Sequence, residues 1–267
     1  MGRFGKEWAV VLAVIGLVAT GCGSSGSGSK SKATTTAAPK LSGSITVSAA
    51  ASLTEPFTTI GKSFKTANPG TNVTFNFGSS GTLATQIQQG APADTFASAD
   101  QDNMNKLVSA NLVDGTPTVF AKNKLVIVTK PGNPKNVTGL ADLPKLGVVS
   151  LCGTTVPCGK YAGQILQTAG LTIPESKITR GQDVKATLAA VTNGDADAAI
   201  VYVSDAKTAG SAVTSVTIPD GQNGIAVYPI ATLKASGNKA VSQAFIASVT
   251  SPQGESVLQG DGFLPPS

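Results

Sequence analysis

Two stretches of this chain repeat one pattern, in which a β-prone run leads through serine into a helix-prone run. The first reads Ile45-Thr46-Val47-Ser48 and continues as Ala49-Ala50-Ala51-Ser52-Leu53-Thr54-Glu55. The second reads Val73-Thr74-Phe75-Asn76-Phe77 and continues as Gly78-Ser79-Ser80-Gly81-Thr82-Leu83. β-Branched and aromatic residues favour strands, whereas serine favours the start of a helix. The sequence therefore predicts two consecutive strand–serine–helix units.

Each predicted helix start is suited to binding an anion. The first N–H groups of a helix lack an intrahelical partner, and this end carries a partial positive charge. Ser52 and Ser80 would each add a hydroxyl donor there, so the two starts together favour a small anion. Because Glu55 follows Ser52 by three residues, a capping box is also predicted in the first unit.

Strand-like and helix-like stretches alternate through the rest of the folded part. Candidate strands are Ser44–Ser48, Asn72–Phe77, Thr95–Ala97, Lys124–Thr129, Gly147–Ser150, Ala198–Tyr202, Ser215–Ile218 and Gly224–Pro229. Candidate helices are Thr54–Ala67, Gly81–Gln89, Gln101–Ala110, Cys158–Ala169, Val184–Thr192, Ser204–Ala209, Asn238–Val249 and Pro252–Gln259. Such alternation predicts an α/β fold with mainly parallel sheets.

A weak internal echo indicates two similar lobes. Residues 93–100 and 196–205 each place an acidic residue before a short apolar strand and end in Ser or Asp, which could cap the following helix. Two α/β lobes would leave a crevice for ligand between the carboxyl ends of their strands.

The N-terminus has the features of an export signal. Arg3 and Lys6 precede the apolar run from Trp8 to Ala19. A helix of about 18 Å is too short for a hydrocarbon core of about 30 Å, so residues 1–21 are predicted to be a signal peptide. The run ends in Ala19-Thr20-Gly21-Cys22, which resembles the lipobox of bacterial lipoproteins and implies lipidation of Cys22. Ordinary secretion with a spare thiol is the alternative.

The segment after Cys22 is predicted to be a tether. Residues 22–40 are rich in Gly, Ser, Thr, Ala and Lys, a composition typical of flexible coil. Of the 20 basic and 15 acidic residues, 15 basic and 14 acidic lie from Leu41 onward. Because the folded part has almost no net charge, nucleic-acid binding is not expected.

The two remaining cysteines, Cys152 and Cys158, lie close together in the sequence. Outside the cytoplasm, two cysteines separated by five residues that include glycine and proline favour a disulfide, with two buried thiols as the alternative. Structural zinc is not expected, because the chain has no histidine and too few further ligands. Nearby, Pro157-Cys158-Gly159 and Asp183-Val184 each predict another helix start, with Asp183 as a cap that points away from the anion.

The ordered series of these motifs resembles the molybdate-binding proteins of bacterial ABC importers. The resemblance runs from about Ser44 to Phe263 and rests on residues 49–54, 78–87, 90–94, 156–159, 182–185 and 200–205. In that family two serine hydroxyls, two backbone amides and one tyrosine hold the oxyanion. The resemblance places these donors on Ser52, Ser80, Cys158, Val184 and Tyr202. An alanine is usual at the position of Cys158, but its backbone N–H would remain. A Cys152–Cys158 disulfide would either pre-organise this amide or only stabilise the fold.

The resemblance implies a type II periplasmic-binding fold with two lobes joined by two crossover strands. We expect the crossovers at Lys124–Thr129 and Ile225–Ile230, with residues 41–122 plus 231–267 in lobe one and 123–230 in lobe two. It also implies a protein without cofactor that delivers molybdate to ABC permease subunits. We expect an exported monomer, lipid-anchored on the outer face of the cytoplasmic membrane. Binding should close the lobes.

Other function classes fit the sequence less well. Without histidine, no Ser-His or Cys-His pair is possible, and the Gly-Ser-Ser-Gly turn has Thr82 where a nucleophile elbow needs glycine. A Ser-Lys dyad stays open, but no enzyme activity is expected. Gly153 to Lys160 departs from the P-loop spacing. Among anions, tungstate, sulfate and thiosulfate remain alternatives, because the donor set does not identify the central atom.

Overall fold

The computed structural model describes residues 40–267, and the predicted signal peptide, Cys22 and nearly all of the tether lie outside them. The strands are β1 Gly43–Ala50, β2 Thr71–Gly78, β3 Thr95–Ala97, β4 Val113–Thr129, β5 Val149–Cys152, β6 Ile178–Gly181, β7 Ala198–Tyr202, β8 Thr214–Thr217 and β9 Ile225–Leu233. The helices are α1 Thr54–Ala67, α2 Ser80–Gln88, α3 Gln101–Ser109, α4 Pro157–Thr168, α5 Val184–Thr192, α6 Val203–Ala209, α7 Lys239–Val249 and α8 Pro252–Gly260. Within this part of the chain, no helix is long and apolar enough to cross a membrane.

The strands form one nine-stranded mixed sheet in two parts linked by β4. Its order is β2-β1-β3-β9-β4-β7-β5-β6, with β8 also paired to β4. Within the first part β1, β2 and β3 are parallel, and within the second β5, β6 and β7 are parallel. All the antiparallel pairs involve β4 or β9. The sheet is thus parallel where the loops with Ser52, Ser80, Cys158 and Val184 follow strands, and antiparallel where the chain passes between the two parts.

Strand β4 changes partner near its middle. Lys124 pairs with Ile225 of β9, whereas the next residue, Leu125, pairs with Tyr202 of β7. One continuous strand therefore belongs to both parts of the sheet. Helices α1, α2, α3 and α7 pack on the first part, and α5 packs on the second.

Periodic apolar residues explain how α1 is anchored. Phe57, Ile60 and Phe64 lie three and four residues apart, so they share one helix face, and all three are buried. The Phe57 ring lies 5.7 Å from that of Phe120 and 5.8 Å from that of Phe245. Burial of each such side chain contributes about 1.5–3 kcal/mol, so this cluster joins α1 firmly to β4 and α7.

Two strand predictions were wrong or incomplete. The prediction began the fourth strand at Lys124, but β4 begins at Val113. The first half of β4 was missed because it contains Gly115, a residue typical of turns. In this half the register with β9 is shifted in two places, as at β-bulges. Strand β6 was missed because it has only four residues, none of them buried, at the edge of the sheet. The other predicted strands and helices exist, and their bounds either agree with the prediction or differ from it by a few residues.

Candidate functional site

The five predicted ligand residues line one cavity. Ser52 and Ser80 approach it from the first part of the sheet, and Cys158, Val184 and Tyr202 approach it from the second. The cavity has a volume of about 10 Å³, so it suits a small ligand.

Parallel register brings the two serines together. Ala50 at the end of β1 pairs with Gly78 at the end of β2, so the segments that follow leave the sheet side by side. Ser52 lies in a 3₁₀ turn at Ala51–Leu53, and Ser80 is the first residue of α2. Both serines are buried, at 3% and 1% exposure.

The second part of the sheet contributes two helix N-termini. Cys158 is the second residue of α4, after Pro157, and Val184 is the first residue of α5. Backbone N–H groups at these positions have no partner within their own helix. Together with α2, three helices of eight or more residues therefore begin at the cavity and favour a negative charge there.

Both serine oxygens already take part in a hydrogen bond with the protein. The Ala99 backbone N–H donates to Ser80 Oγ at 3.0 Å. Ser52 Oγ lies 3.0 Å from the hydroxyl of Tyr228, a buried residue of β9. A hydroxyl that accepts from the protein keeps its single hydrogen for another acceptor. The Ser80 hydroxyl can therefore donate to a ligand. The Ser52 hydroxyl can do the same when Tyr228 is the donor in the bond between Tyr228 and Ser52.

The Tyr202 hydroxyl is the least satisfied group at the cavity. It is buried at 1% residue exposure, and it has no hydrogen-bond partner among the described residues. Burial raises the pKa of Tyr202 well above its usual value, so the group remains a protonated donor. A buried hydroxyl without a partner is costly, and a ligand oxygen would remove that cost.

The helix-cap predictions had mixed outcomes. Asp183 caps α5 as predicted, because its Oδ1 accepts from the Ala186 N–H at 2.9 Å, but this residue also lines the cavity from which it was expected to point away. The capping box of Ser52 with Glu55 was wrong: α1 begins at Thr54 without a side-chain cap, and Glu55 instead accepts from Lys185 Nζ at 2.7 Å. Ser52 is therefore free to face the cavity.

The similar segments 93–100 and 196–205 were both predicted to end in a helix cap, and only the first does. Asp100 caps α3, since its Oδ1 accepts from the Asn103 N–H at 2.9 Å. Helix α6 has no side-chain cap, and Asp205 lies inside it with both oxygens fully buried. The same sequence pattern therefore has different structural roles in the two places.

A disulfide joins Cys152 at the end of β5 to Cys158 in α4, as predicted. Their Cα atoms are 5.8 Å apart. The loop is further ordered by the Val156 N–H, which donates to the Gly153 carbonyl at 2.9 Å. At Gly159 a Cβ atom would lie 2.0 Å from that same carbonyl, so only glycine permits this close approach.

The side chains that line the cavity are almost all uncharged. Among the described residues that line it, none is basic, and Asp183 is the only acidic one. In the described range 40–267, no cluster of His, Cys, Asp and Glu could hold a metal ion. Such an arrangement can bind a fully deprotonated anion by hydrogen bonds alone.

Sequence reasoning missed the residues that support the donors. Tyr228 and Ala99 bear no recognisable motif, and Tyr228 lies 176 residues from the Ser52 that it contacts. Burial could have been guessed from their apolar surroundings in the sequence. Their partners could not, because such contacts arise only when β9 and the first helical turn are packed together.

Comparisons with known proteins agree with this geometry. Residues 45–264 match the family model described as bacterial extracellular solute-binding protein. The chain is 42% identical over 256 residues to the molybdate-binding protein ModA of Mycobacterium tuberculosis (strain ATCC 25618 / H37Rv), covering 96% of this chain and 95% of that protein.

Two solved structures share the fold at 21% sequence identity. The periplasmic molybdate-binding protein of Azotobacter vinelandii matches with a TM-score of 0.76 over 84% of this chain and 100% of its own. The sulfate-binding protein SubI of Mycobacterium tuberculosis H37Rv matches with a TM-score of 0.74 over 83% and 86%. The architecture is the type II periplasmic-binding fold. This chain belongs to the family of bacterial extracellular solute-binding proteins.

Proposed function

We propose that this protein is the solute-binding component of an ABC importer and that its ligand is molybdate. The observation that carries the proposal is the buried Tyr202 hydroxyl, which has no partner among the described residues and lies at a cavity of hydrogen-bond donors. The relative of 42% identity is named a molybdate-binding protein, which supports the choice of anion.

The donor set favours an anion that carries no proton. Ser52, Ser80 and Tyr202 would each donate through a hydroxyl, and Cys158 and Val184 through backbone N–H groups. Molybdate, tungstate and sulfate are unprotonated at neutral pH and can only accept. A protonated phosphate would also need an acceptor, and none of the five predicted ligand residues is acidic.

Neutral donors also suit reversible binding. A lysine or arginine in the cavity would have to be desolvated each time the site closed, which costs several kcal/mol per buried ion. Helix N-termini offset the charge of the anion without this penalty. The protein would thus hold a dianion firmly and still release it.

Capture is proposed to involve closure of two lobes. Lobe one would comprise residues 41–122 plus 231–267, and lobe two residues 123–230. The change of partner at Lys124 and Leu125 in β4 supports a boundary near residue 123. Because the donors lie on both sides of this boundary, an anion held by all of them would favour the closed form, which would then dock on permease subunits.

Titration calorimetry of the purified protein tests the ligand. Molybdate should bind with a submicromolar Kd, and sulfate at least about a hundredfold more weakly, a difference of about 2.7 kcal/mol. Tungstate should resemble molybdate because their sizes are nearly equal, and phosphate should bind poorly. If sulfate bound with an affinity comparable to that of molybdate, the assignment of molybdate as the ligand would be wrong.

The variant Tyr202→Phe tests the donor role of the hydroxyl. Loss of one hydrogen bond to a charged ligand costs about 1.5–3 kcal/mol, so the molybdate Kd should rise about tenfold to a hundredfold. Tyr161→Phe is the matched control, because Tyr161 does not line the cavity. Equal affinity of Tyr202→Phe and wild type would exclude this tyrosine as a ligand residue.

A further inference from the structure

Two lysines lie directly beside the donor positions without lining the cavity. Lys185 follows Val184 in α5, and Lys160 lies two residues after Cys158 in α4. Their side chains are only 28% and 26% exposed. Partly buried lysines need partners, and both find them on the far side of the cavity.

Lys185 bridges the two parts of the molecule. Its Nζ donates to Glu55 Oε2 at 2.7 Å, and Glu55 lies on α1, three residues after Ser52. Helix α1 packs on β2 of the first part, whereas α5 packs on β5, β6 and β7 of the second. The contact therefore joins helices that belong to the two proposed lobes.

Lys160 makes an equivalent bridge on another pair of helices. Its Nζ donates to Asp100 Oδ2 at 3.1 Å and to Asp102 Oδ2 at 3.2 Å, at the start of α3. Asp100 immediately follows Ala99, whose N–H donates to Ser80. Each bridge thus links a residue close to a serine donor with a residue close to an amide donor.

Asp205 holds Lys185 from within its own lobe. Its Oδ1 lies 3.3 Å from Lys185 Nζ, and it is fully buried. Burial raises the pKa of Asp205 to about 6, so the carboxylate is ionised at neutral pH. Burial lowers the pKa of Lys185, but Asp205 and Glu55 more than offset this and leave it raised. Lys185 is therefore charged, and Asp205 helps to position it from within the same proposed lobe.

We propose that Glu55–Lys185 and Asp100/Asp102–Lys160 are two ionic clasps that close the lobes over the anion and slow its release. The proposal rests on the function proposed above, because it assigns a role to residues around that same site. The clasp residues are positioning residues, since they act on closure and do not touch the ligand. Opening would separate Glu55 from Lys185 while leaving the Asp205–Lys185 pair intact.

Neutralising Glu55 tests the clasp, because the direction of the change in molybdate affinity differs between a clasp and simple charge repulsion. A carboxylate near the cavity repels a dianion, so Glu55→Gln should tighten binding if charge alone matters. If the clasp holds the closed form, the same variant should weaken binding by about threefold to tenfold. The dissociation rate should rise and the association rate should change little.

Calorimetry and stopped-flow kinetics with molybdate would compare wild type, Glu55→Gln, Lys185→Gln, Asp102→Asn and the double variant Glu55→Gln/Lys185→Gln. Asp102→Asn should also weaken binding, and the effect of Glu55→Gln should disappear in the Lys185→Gln background. Glu175→Gln is the matched control, because Glu175 pairs with Arg180 five residues away in the same part of the molecule. Unchanged or tighter binding by Glu55→Gln would overturn the proposal.

Failure of the proposed function would be seen separately, in the wild type. A wild-type protein that binds none of the oxyanions would contradict that function. Small-angle scattering of the ligand-free protein then tests the clasps alone. Glu55→Gln/Asp102→Asn should have a larger radius of gyration than wild type, and equal radii would overturn the clasps.

Discussion

At the scale of single residues, the direction in which each serine hydroxyl hydrogen points decides what the cavity can bind. Ser80 is oriented by a backbone N–H, that of Ala99, which no side-chain substitution removes. Ser52 depends instead on the Tyr228 side chain. Burial raises the pKa of Tyr228 well above its usual value, so its hydroxyl stays protonated and able to donate. When Tyr228 donates to Ser52, the serine hydrogen is left for the ligand.

We therefore expect Tyr228→Phe to weaken molybdate binding about threefold to thirtyfold, although Tyr228 does not line the cavity. The ring should stay in place, because it packs edge-on against Phe120 and Phe263. A double-mutant cycle with Ser52→Ala, measured by calorimetry, separates orientation from packing. An equal effect of Tyr228→Phe in both backgrounds would argue for packing alone.

At the scale of elements, the loop from β5 to α4 presents one amide through several constraints. The disulfide is one of them, and the Val156–Gly153 turn is another. The Gly153 N–H also donates to the Gly181 carbonyl at 2.8 Å. Because these bonds persist without the disulfide, we expect the bridge to affect stability more than affinity.

The double variant Cys152→Ala/Cys158→Ala tests this expectation. Closing so short a loop is worth about 2–3 kcal/mol in the unfolded chain, so the free energy of unfolding should fall by about that amount. The molybdate Kd should rise less than tenfold, because the Cys158 N–H is retained. Urea denaturation and calorimetry measure the two quantities, and added reductant should leave the double variant unchanged. A larger loss of affinity would indicate that the bridge pre-organises the site.

At the scale of the whole molecule, membership of an extracellular family supports export of this chain. We propose that Cys22, which lies outside the described residues, carries a lipid anchor and that residues 23–40 form the tether. Cys22→Ala should then move the protein from the membrane fraction to the medium or soluble fraction in the native host. Mass spectrometry of the wild-type protein should find a diacylglyceryl mass on Cys22. A wild-type protein recovered without lipid would contradict the anchor.

Elements with strong local signals were predictable from the sequence. Helices Thr54–Ala67 and Val184–Thr192 and strand Ala198–Tyr202 have the predicted bounds. The apolar residues of the two helices recur with the helical period, and the strand is an unbroken apolar run, so burial follows from the pattern. The start of β4 was not predictable, because its pairing with β9 tolerates Gly115 in an irregular stretch.

The sequence alone determined the α/β alternation, the cysteine pair and the helix starts that carry the candidate donors, because each depends on residues a few positions apart. Tertiary structure alone decided what surrounds those donors. Ser52 meets Tyr228 across 176 residues, and Lys185 meets Glu55 across 130. Such contacts are set by how distant elements pack, which no local pattern encodes. Consequently Glu55, which the sequence predicted as a helix cap, is instead part of a bridge across the cavity.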